Sequence, residues 1–144
     1  MVKKLSDFSI VIRAKNEERW IGYAIQSALD HLIKPEIIIV DNNSTDGTAE
    51  FLQQFASTTG DRISIKVLME SQQGHAVCRN RAIESASGDL MLWTDDDIIA
   101  SEDWLSRYLE FVSDDPDSSF WGSVIEPEFP GGMPTWLSEN GNEW

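Results

Sequence analysis

"EIIIVDNNSTDGTAEFL", residues 36–52, decides the fold. Its first five residues form a short run rich in β-branched side chains, followed by a polar turn of Asn, Ser, Asp and Gly. Phe51, Leu52 and Phe55 then return at helical spacing. Strand, polar turn and helix make one βα unit, and a strand that is apolar throughout is expected when both of its faces are covered.

Working outward, the same alternation recurs. "FSIVI" (8–12), "ISIKVLM" (63–69), "LMLW" (90–93) and "SFWGSVI" (119–125) read as further strands. Between them, Trp20, Ile21, Ala24, Ile25, Ala28, Leu29 and Leu32 keep helical spacing, with Asn16 as the expected N-cap ahead of Glu17 and Glu18. Residues 75–86 form a third helical segment. Leu105, Tyr108, Leu109 and Val112 mark a fourth, which Ser101 is expected to cap. Strands alternating with helices imply an α/β domain with a mainly parallel sheet, flanking helices and right-handed crossovers.

Composition limits the partners. The chain has 144 residues, enough for one core, and 11 Lys+Arg against 25 Asp+Glu give a net charge of −14. That field repels nucleic acid and anionic lipid, so an anionic ligand needs a local exception: a metal ion, a helix N-terminus or a placed Arg. Cys78 is the single cysteine, which excludes a disulfide framework and suits a reducing compartment. "MVKKLSDF" turns polar too soon for a signal peptide, and no run reaches the roughly 20 apolar residues of a membrane span, so the cytoplasm is the expected location. From Pro127 onward, "PEFPGGMPTWLSENGNEW" has no periodicity. The expected organisation is therefore a domain over 1–126 and an irregular tail over 127–144.

Ligands of open parallel sheets bind outside the carboxyl ends of the strands, near the point where strand order reverses. After the first strand come Arg13, Ala14, Lys15, Asn16 and Glu17. Asp41, Asn42, Asn43 and Ser44 follow the second, and Thr94, Asp95, Asp96 and Asp97 the fourth. Adjacent carboxylates repel unless a cation or hydrogen-bond donors offset them. A solvated acidic turn is one account of the three aspartates. The other is a Mg²⁺ or Mn²⁺ site of few protein ligands, completed by water and substrate phosphates. "DNNSTDG" (41–47) resembles a calcium loop only superficially, since Asp46 and Leu52 stand where an EF-hand needs Gly and Glu. In "GHAVCRNRA" (74–82), Arg79 and Arg81 have surface pairing with acids as their ordinary reading. Cys78 reads as a small core residue.

Four segments together resemble the GT-A-fold glycosyltransferases of family 2. They are "FSIVIRAKNEERWIGYAIQSAL", "EIIIVDNNSTDGTAEFL", "GHAVCRNRAIESASGD" and the Asp-x-Asp motif within "LMLWTDDDIIASEDWL". The resemblance implies a Rossmann-like nucleotide-binding domain. It places Asp41 at the donor base, Arg79 beside base and diphosphate, Asp95 near the ribose and metal, and Asp97 on the metal. Ala14, Asn16 and Glu17 would line the nucleotide, and Asp96 would take the variable middle place. The implied activity is metal-dependent (Mn²⁺ or Mg²⁺), inverting transfer of a sugar from a nucleotide diphosphate, most often a UDP-sugar, to an unknown acceptor. Arg13 departs from the family's common Pro, and Asn42 from the second Asp of its turn. A nucleotidyltransferase is the enzymatic rival, although "IRAKNEERW" lacks its Gly-rich phosphate loop; a non-catalytic nucleotide-sugar-binding module is the other. Members of this kind carry a second half that binds the acceptor and supplies the general base. The chain reads as stopping before it, with Asp103, Glu126, Glu128, Glu139 and Glu143 as the remaining acids and none selected by spacing. Trp121, Trp136 and Trp144 show no evident core to enter, so self-association through the tail is expected.

Overall fold

The computed structural model describes residues 7–29, 35–59 and 64–138. In chain order the elements are β1 (Phe8–Ala14), α1 (Ile21–Leu29), β2 (Glu36–Asp41), α2 (Thr48–Thr59), β3 (Ile65–Met69), α3 (His75–Ser85), β4 (Leu90–Asp95), α4 (Trp104–Asp114) and a short α5 (Thr135–Ser138). The strands form one sheet in the order β3-β2-β1-β4, and every pairing is parallel.

Period-two alternation assigns the two faces. Phe8, Ile10 and Ile12 of β1, Ile37 and Ile39 of β2 and Leu92 of β4 meet Ile21, Ile25 and Ala28 of α1, Leu52 of α2 and Leu105 and Val112 of α4. The intervening Val11, Ile38 and Val40 meet Cys78 and Ala82 of α3 on the opposite face. All six residues of β2 are buried, as a strand sandwiched between helices requires. Cys78 is a buried core thiol, which burial pushes above its ordinary pKa.

Three local expectations are corrected. Asn16 does not cap α1: it sits at φ 58, and the Glu17 carbonyl accepts from Trp20 N and Ile21 N in a turn before the helix begins at Ile21. Ser101 does not cap α4, because its hydroxyl donates to Asp103 Oδ1 while its carbonyl accepts from Trp104 N. Residues 119–125 form no strand. Among the described residues they pair with no strand, and Phe120 and Val124 are 87% and 88% exposed. Trp121 nonetheless packs against the main core, and Tyr108 Oη donates to Ser123 Oγ at 3.1 Å, so this segment folds back onto α4. The expectation that Trp121 has no core to enter is thus overturned. Trp136 is exposed, whereas Leu32 and Trp144 fall outside the described residues.

The amino edge of the sheet holds a buried ionic staple that the run "EIIIV" does not announce. Glu36 Oε2 accepts from Ser9 Oγ at 2.7 Å and Ser87 N at 2.8 Å, and its Oε1 pairs with Lys66 Nζ at 2.6 Å. Ser9 Oγ accepts in turn from Gly88 N at 2.9 Å. Gly88 approaches β1 so closely that a Cβ would lie 2.7 Å from Asp7 O and Ser9 N, which excludes any larger residue there without a backbone shift. Burial alone would raise the Glu36 carboxyl, but the bonds from Lys66, Ser87 and Ser9 together outweigh it and hold the pKa at about 2. A folded-state pKa below the unfolded one stabilises fully above pH about 4.5, and the contribution is lost as pH falls toward 2. Allowing for the exposure of Lys66, about 2 kcal/mol of unfolding free energy should disappear across that window. Denaturant melts at a series of pH values check this. Glu36→Gln should flatten that part of the profile, and an unchanged slope would assign it to other carboxylates.

Candidate functional site at the carboxyl edge

β1, β2 and β3 succeed one another in one direction, and β4 is then added on the far side of β1. The strand order therefore reverses between β1 and β4. Register sets Arg13 opposite Asp95 there, and Ala14 opposite Asp41 on the other side of β1. The polar loops foreseen after β1, β2 and β4 do share one edge, and hydrogen bonds tie them together.

Between the first two loops, Asn16 N donates to Ser44 Oγ at 3.0 Å, and Asn16 Oδ1 accepts from Thr45 N at 2.8 Å. Glu17 N donates to Thr48 Oγ1 at 3.0 Å, and Glu18 Oε2 accepts from Gly47 N at 2.6 Å. Asn43, at φ 60, makes the left-handed step that the β2–α2 turn requires, a conformation Asn tolerates better than most residues. Ala14 is fully buried and its carbonyl accepts from Asn42 N, so its part in any site is positional.

Asp41 is buried completely. Its Oδ2 accepts from Ser44 N at 3.2 Å, while its Oδ1 has no hydrogen-bond partner. A buried carboxylate oxygen left unpaired is costly, and such atoms call for a specific explanation. Asn42 beside it is fully engaged. Its Nδ2 donates to the carbonyls of Glu70 (3.2 Å) and Gln72 (2.8 Å), and its Oδ1 accepts from Gly74 N at 2.9 Å. One side chain therefore clamps the end of β2 to the loop that launches α3.

The three aspartates have three different environments. Asp96 is the buried one, and its Oδ2 accepts from Lys15 N at 2.9 Å, fastening the β1–α1 loop to the end of β4. Burial raises its carboxyl above the usual range, with the Lys15 N–H pulling the other way. Asp95 and Asp97 are exposed. Asp95 Oδ1 meets Arg13 Nη2 at 3.4 Å. The Glu17 carboxyl is raised, first by desolvation and then by the negative field of Asp96, Asp97 and Asp46. The middle aspartate, read from the sequence as the variable one, is thus the structural one. Nothing in the run Asp95-Asp96-Asp97 distinguishes them; only the tertiary contact with Lys15 does.

On the α3 side of the switch point lies a shallow cleft of about 160 Å³. Arg13, Arg79, Trp93, Thr94 and Asp95 line it, over a floor that includes Cys78. The Arg79 guanidinium lies 5.9 Å from the centre of the Trp93 ring, within cation–π range. For a divalent cation the chemistry of the donors fits: Asp95, which lines the cleft, and the exposed Asp97 two residues further on offer hard oxygens. Among the described residues no three His, Cys, Asp or Glu side chains form a cage, so the protein would supply few ligands and leave several positions open. Of the acids named as possible bases, Asp103 is held below the usual carboxylate range by Arg107 (2.5 Å) and Ser101, which makes it a poor proton acceptor. Glu126 and Glu128 are exposed and lie outside the cleft lining, and Glu139 and Glu143 fall outside the described residues.

An all-parallel α/β sheet flanked by helices, with its polar loops gathered at the reversal of strand order, is a fold of the GT-A class. The solved structures it resembles include the mannosyltransferase PcManGT from Pyrobaculum calidifontis in complex with GDP-Man and Mn²⁺ (TM-score 0.69). S. aureus TarS 1–349 in complex with UDP is another (TM-score 0.64). Each is 23% identical to this chain and covers 74% of it, and the chain covers 32% of each. The chain belongs to glycosyl transferase family 2, whose model matches residues 9–140. Glycosyltransferase AglE of Haloferax volcanii is 32% identical over 135 residues, 92% of this chain and 43% of that one. The putative teichuronic acid biosynthesis glycosyltransferase TuaG of Bacillus subtilis is 37% identical over 105 residues, 72% of this chain and 41% of its own. The chain thus spans about two fifths of the length of these relatives. Among the described residues no helix is long and apolar enough to cross a membrane.

Proposed function

We propose that residues 1–126 form the donor-binding portion of an inverting, metal-dependent glycosyltransferase that takes a UDP-sugar. In this reading residues 127–144 lead toward an acceptor-binding half. The observation that carries the proposal is the unpaired Oδ1 of buried Asp41 at the end of β2. A uracil N3–H is the donor such an oxygen lacks. Because Oδ1 is covered, the tip of the β2–α2 loop must shift for the base to reach it. Arg79 then flanks base and diphosphate from α3, with Trp93 behind it holding the guanidinium. Asp95 and Asp97 hold Mn²⁺ or Mg²⁺, which when bound offsets the charge of the departing diphosphate. Asn16 and Asp96 keep the loops in register. In the transfer itself an acceptor oxygen bonds to the anomeric carbon as the bond to the diphosphate breaks, and the acceptor's proton goes to a base from outside the described cleft.

Calorimetric titration tests the base pocket. UDP should bind about tenfold or more tightly than CDP, whose base has no N3–H, since hydrogen bonds to a charged partner are worth about 1.5–3 kcal/mol. Asp41→Asn keeps the shape and can present either an acceptor or a donor, so it should erase the preference. A variant that still discriminates by the wild-type factor would place base recognition elsewhere.

A second reading, a module that binds donor without turning it over, draws on the poor basicity of Asp103 and on a cleft whose one lining acid, Asp95, is already assigned to the cation. A labelled nucleotide-sugar panel, with and without acceptor extracts, separates the two. Loss of a general base alone lowers rates about 10²–10⁴-fold. Turnover by this chain at about 1 per second or faster would place a base within it and remove the second reading.

A further inference from the structure

We infer that Arg13 is a resident counter-ion of the donor site, holding Asp95 in the empty protein and passing to the donor's diphosphate when Asp95 is taken by a divalent cation. The inference rests on the donor-binding reading above. Its grounds are the position and the looseness of one ion pair. Arg13 and Asp95 are register partners across the strand reversal, and both line the cleft that Arg79 also enters. Their contact is 3.4 Å, well beyond the 2.7–2.9 Å of a tight charge-assisted bond, with side-chain exposures of 23% for Arg13 and 60% for Asp95. A loose and half-solvated pair is readily exchanged. Arg13 is anchored on a central strand, so on release its guanidinium stays in the cleft, beside whatever anion enters it. In a chain of net charge −14, two arginines on one small cleft are a concentration of positive charge that surface solvation does not require. The exchange accounts for both: Asp95 is neutralised while the cation is absent, and the diphosphate meets a second guanidinium once the cation has come.

This arrangement makes Arg13 act with opposite sign on two ligands, an outcome that a purely structural residue does not produce. Mn²⁺ alone, followed by its electron paramagnetic resonance signal, should bind Arg13→Gln about tenfold more tightly than the wild type. That is the effect of deleting a unit charge roughly 6 Å from a divalent ion in a largely aqueous medium. UDP titrated in saturating Mn²⁺ should bind the same variant about tenfold more weakly. Arg13→Lys keeps the charge and should leave Mn²⁺ affinity within about twofold of the wild type. Asp95→Asn combined with Arg13→Gln should cancel the gain in Mn²⁺ binding. Mn²⁺ affinity that is unchanged or lower in Arg13→Gln overturns the inference, as does UDP binding that is unaffected. Failure of the wild type to bind UDP at any Mn²⁺ concentration would instead sink the donor-binding reading, while the Mn²⁺-only comparison still reports whether Arg13 restrains Asp95.

Discussion

Replacing Asn42 by Ala is expected to destabilise the fold by about 3–4 kcal/mol. The side chain is almost fully buried and makes three hydrogen bonds, to Glu70 O, Gln72 O and Gly74 N. Truncation leaves two carbonyls and one N–H without their partner, and each buried polar group so stranded costs about 1–3 kcal/mol, with water recovering part of it. The effect should reach the cleft as well. Gly74, at φ 140, immediately precedes α3, and α3 carries Arg79 and the Cys78 floor. Denaturant melts give the stability loss, and hydrogen exchange along 70–79 shows where it falls. A variant within 1 kcal/mol of the wild type would mean that the clamp is replaced by water at no cost.

Removing the cation is expected to weaken UDP binding by about 2–4 kcal/mol, the scale for breaking a close charge interaction. Calorimetry in Mn²⁺ and in EDTA measures the difference, and Asp97→Asn should abolish most of it. The grounds lie in the field at the mouth of the site. The Glu17 carboxyl is raised first by desolvation and then by Asp96, Asp97 and Asp46, so the loops present negative charge where a diphosphate is proposed to sit. A trianionic nucleotide entering that field without a cation meets repulsion from Asp97 and Glu17. Equal affinity in the two buffers would refute the assignment of Asp95 and Asp97 to a metal.

The parts legible in the sequence were those carried by periodicity and by position along a strand. Ile37 to Val40 and Ile10 to Ile12 announce doubly covered strands, and the polar runs after them announce the carboxyl edge, because both signals are local. What was not legible depends on partners distant in the chain. Asp96 differs from Asp95 and Asp97 only through Lys15, 81 positions away, and Glu36 is buried only because Ser9, Lys66 and Ser87 converge on it. Asn16 satisfies every local rule for an N-cap. Its side chain goes instead to Thr45, since the left-handed turn there swings it toward the neighbouring loop. "SFWGSVI" has the composition of a strand but pairs with none of the described strands; Trp121 packs against the core while Phe120 and Val124 remain in water.

The order β3-β2-β1-β4 divides the site between ground of unequal firmness. β1 and β2 are internal and almost wholly buried, whereas β3 and β4 are half-buried and have, among the described strands, a neighbour on one side only. Amide exchange should therefore be slowest along Ile10–Ile12 and Ile37–Val40, and β4 should open in smaller, more frequent excursions than the sheet as a whole. Asp41, the proposed partner of the base, rides on the slow part and the acidic turn after β4 on the fast one. Each opening of β4 would carry Asp95 away from Arg13 and Asp96 away from Lys15 while the β2 end stays formed. A nucleotide bridging the two would close that seam, so its arrival should be read first as protection of Leu92 to Asp95, far more than of β2.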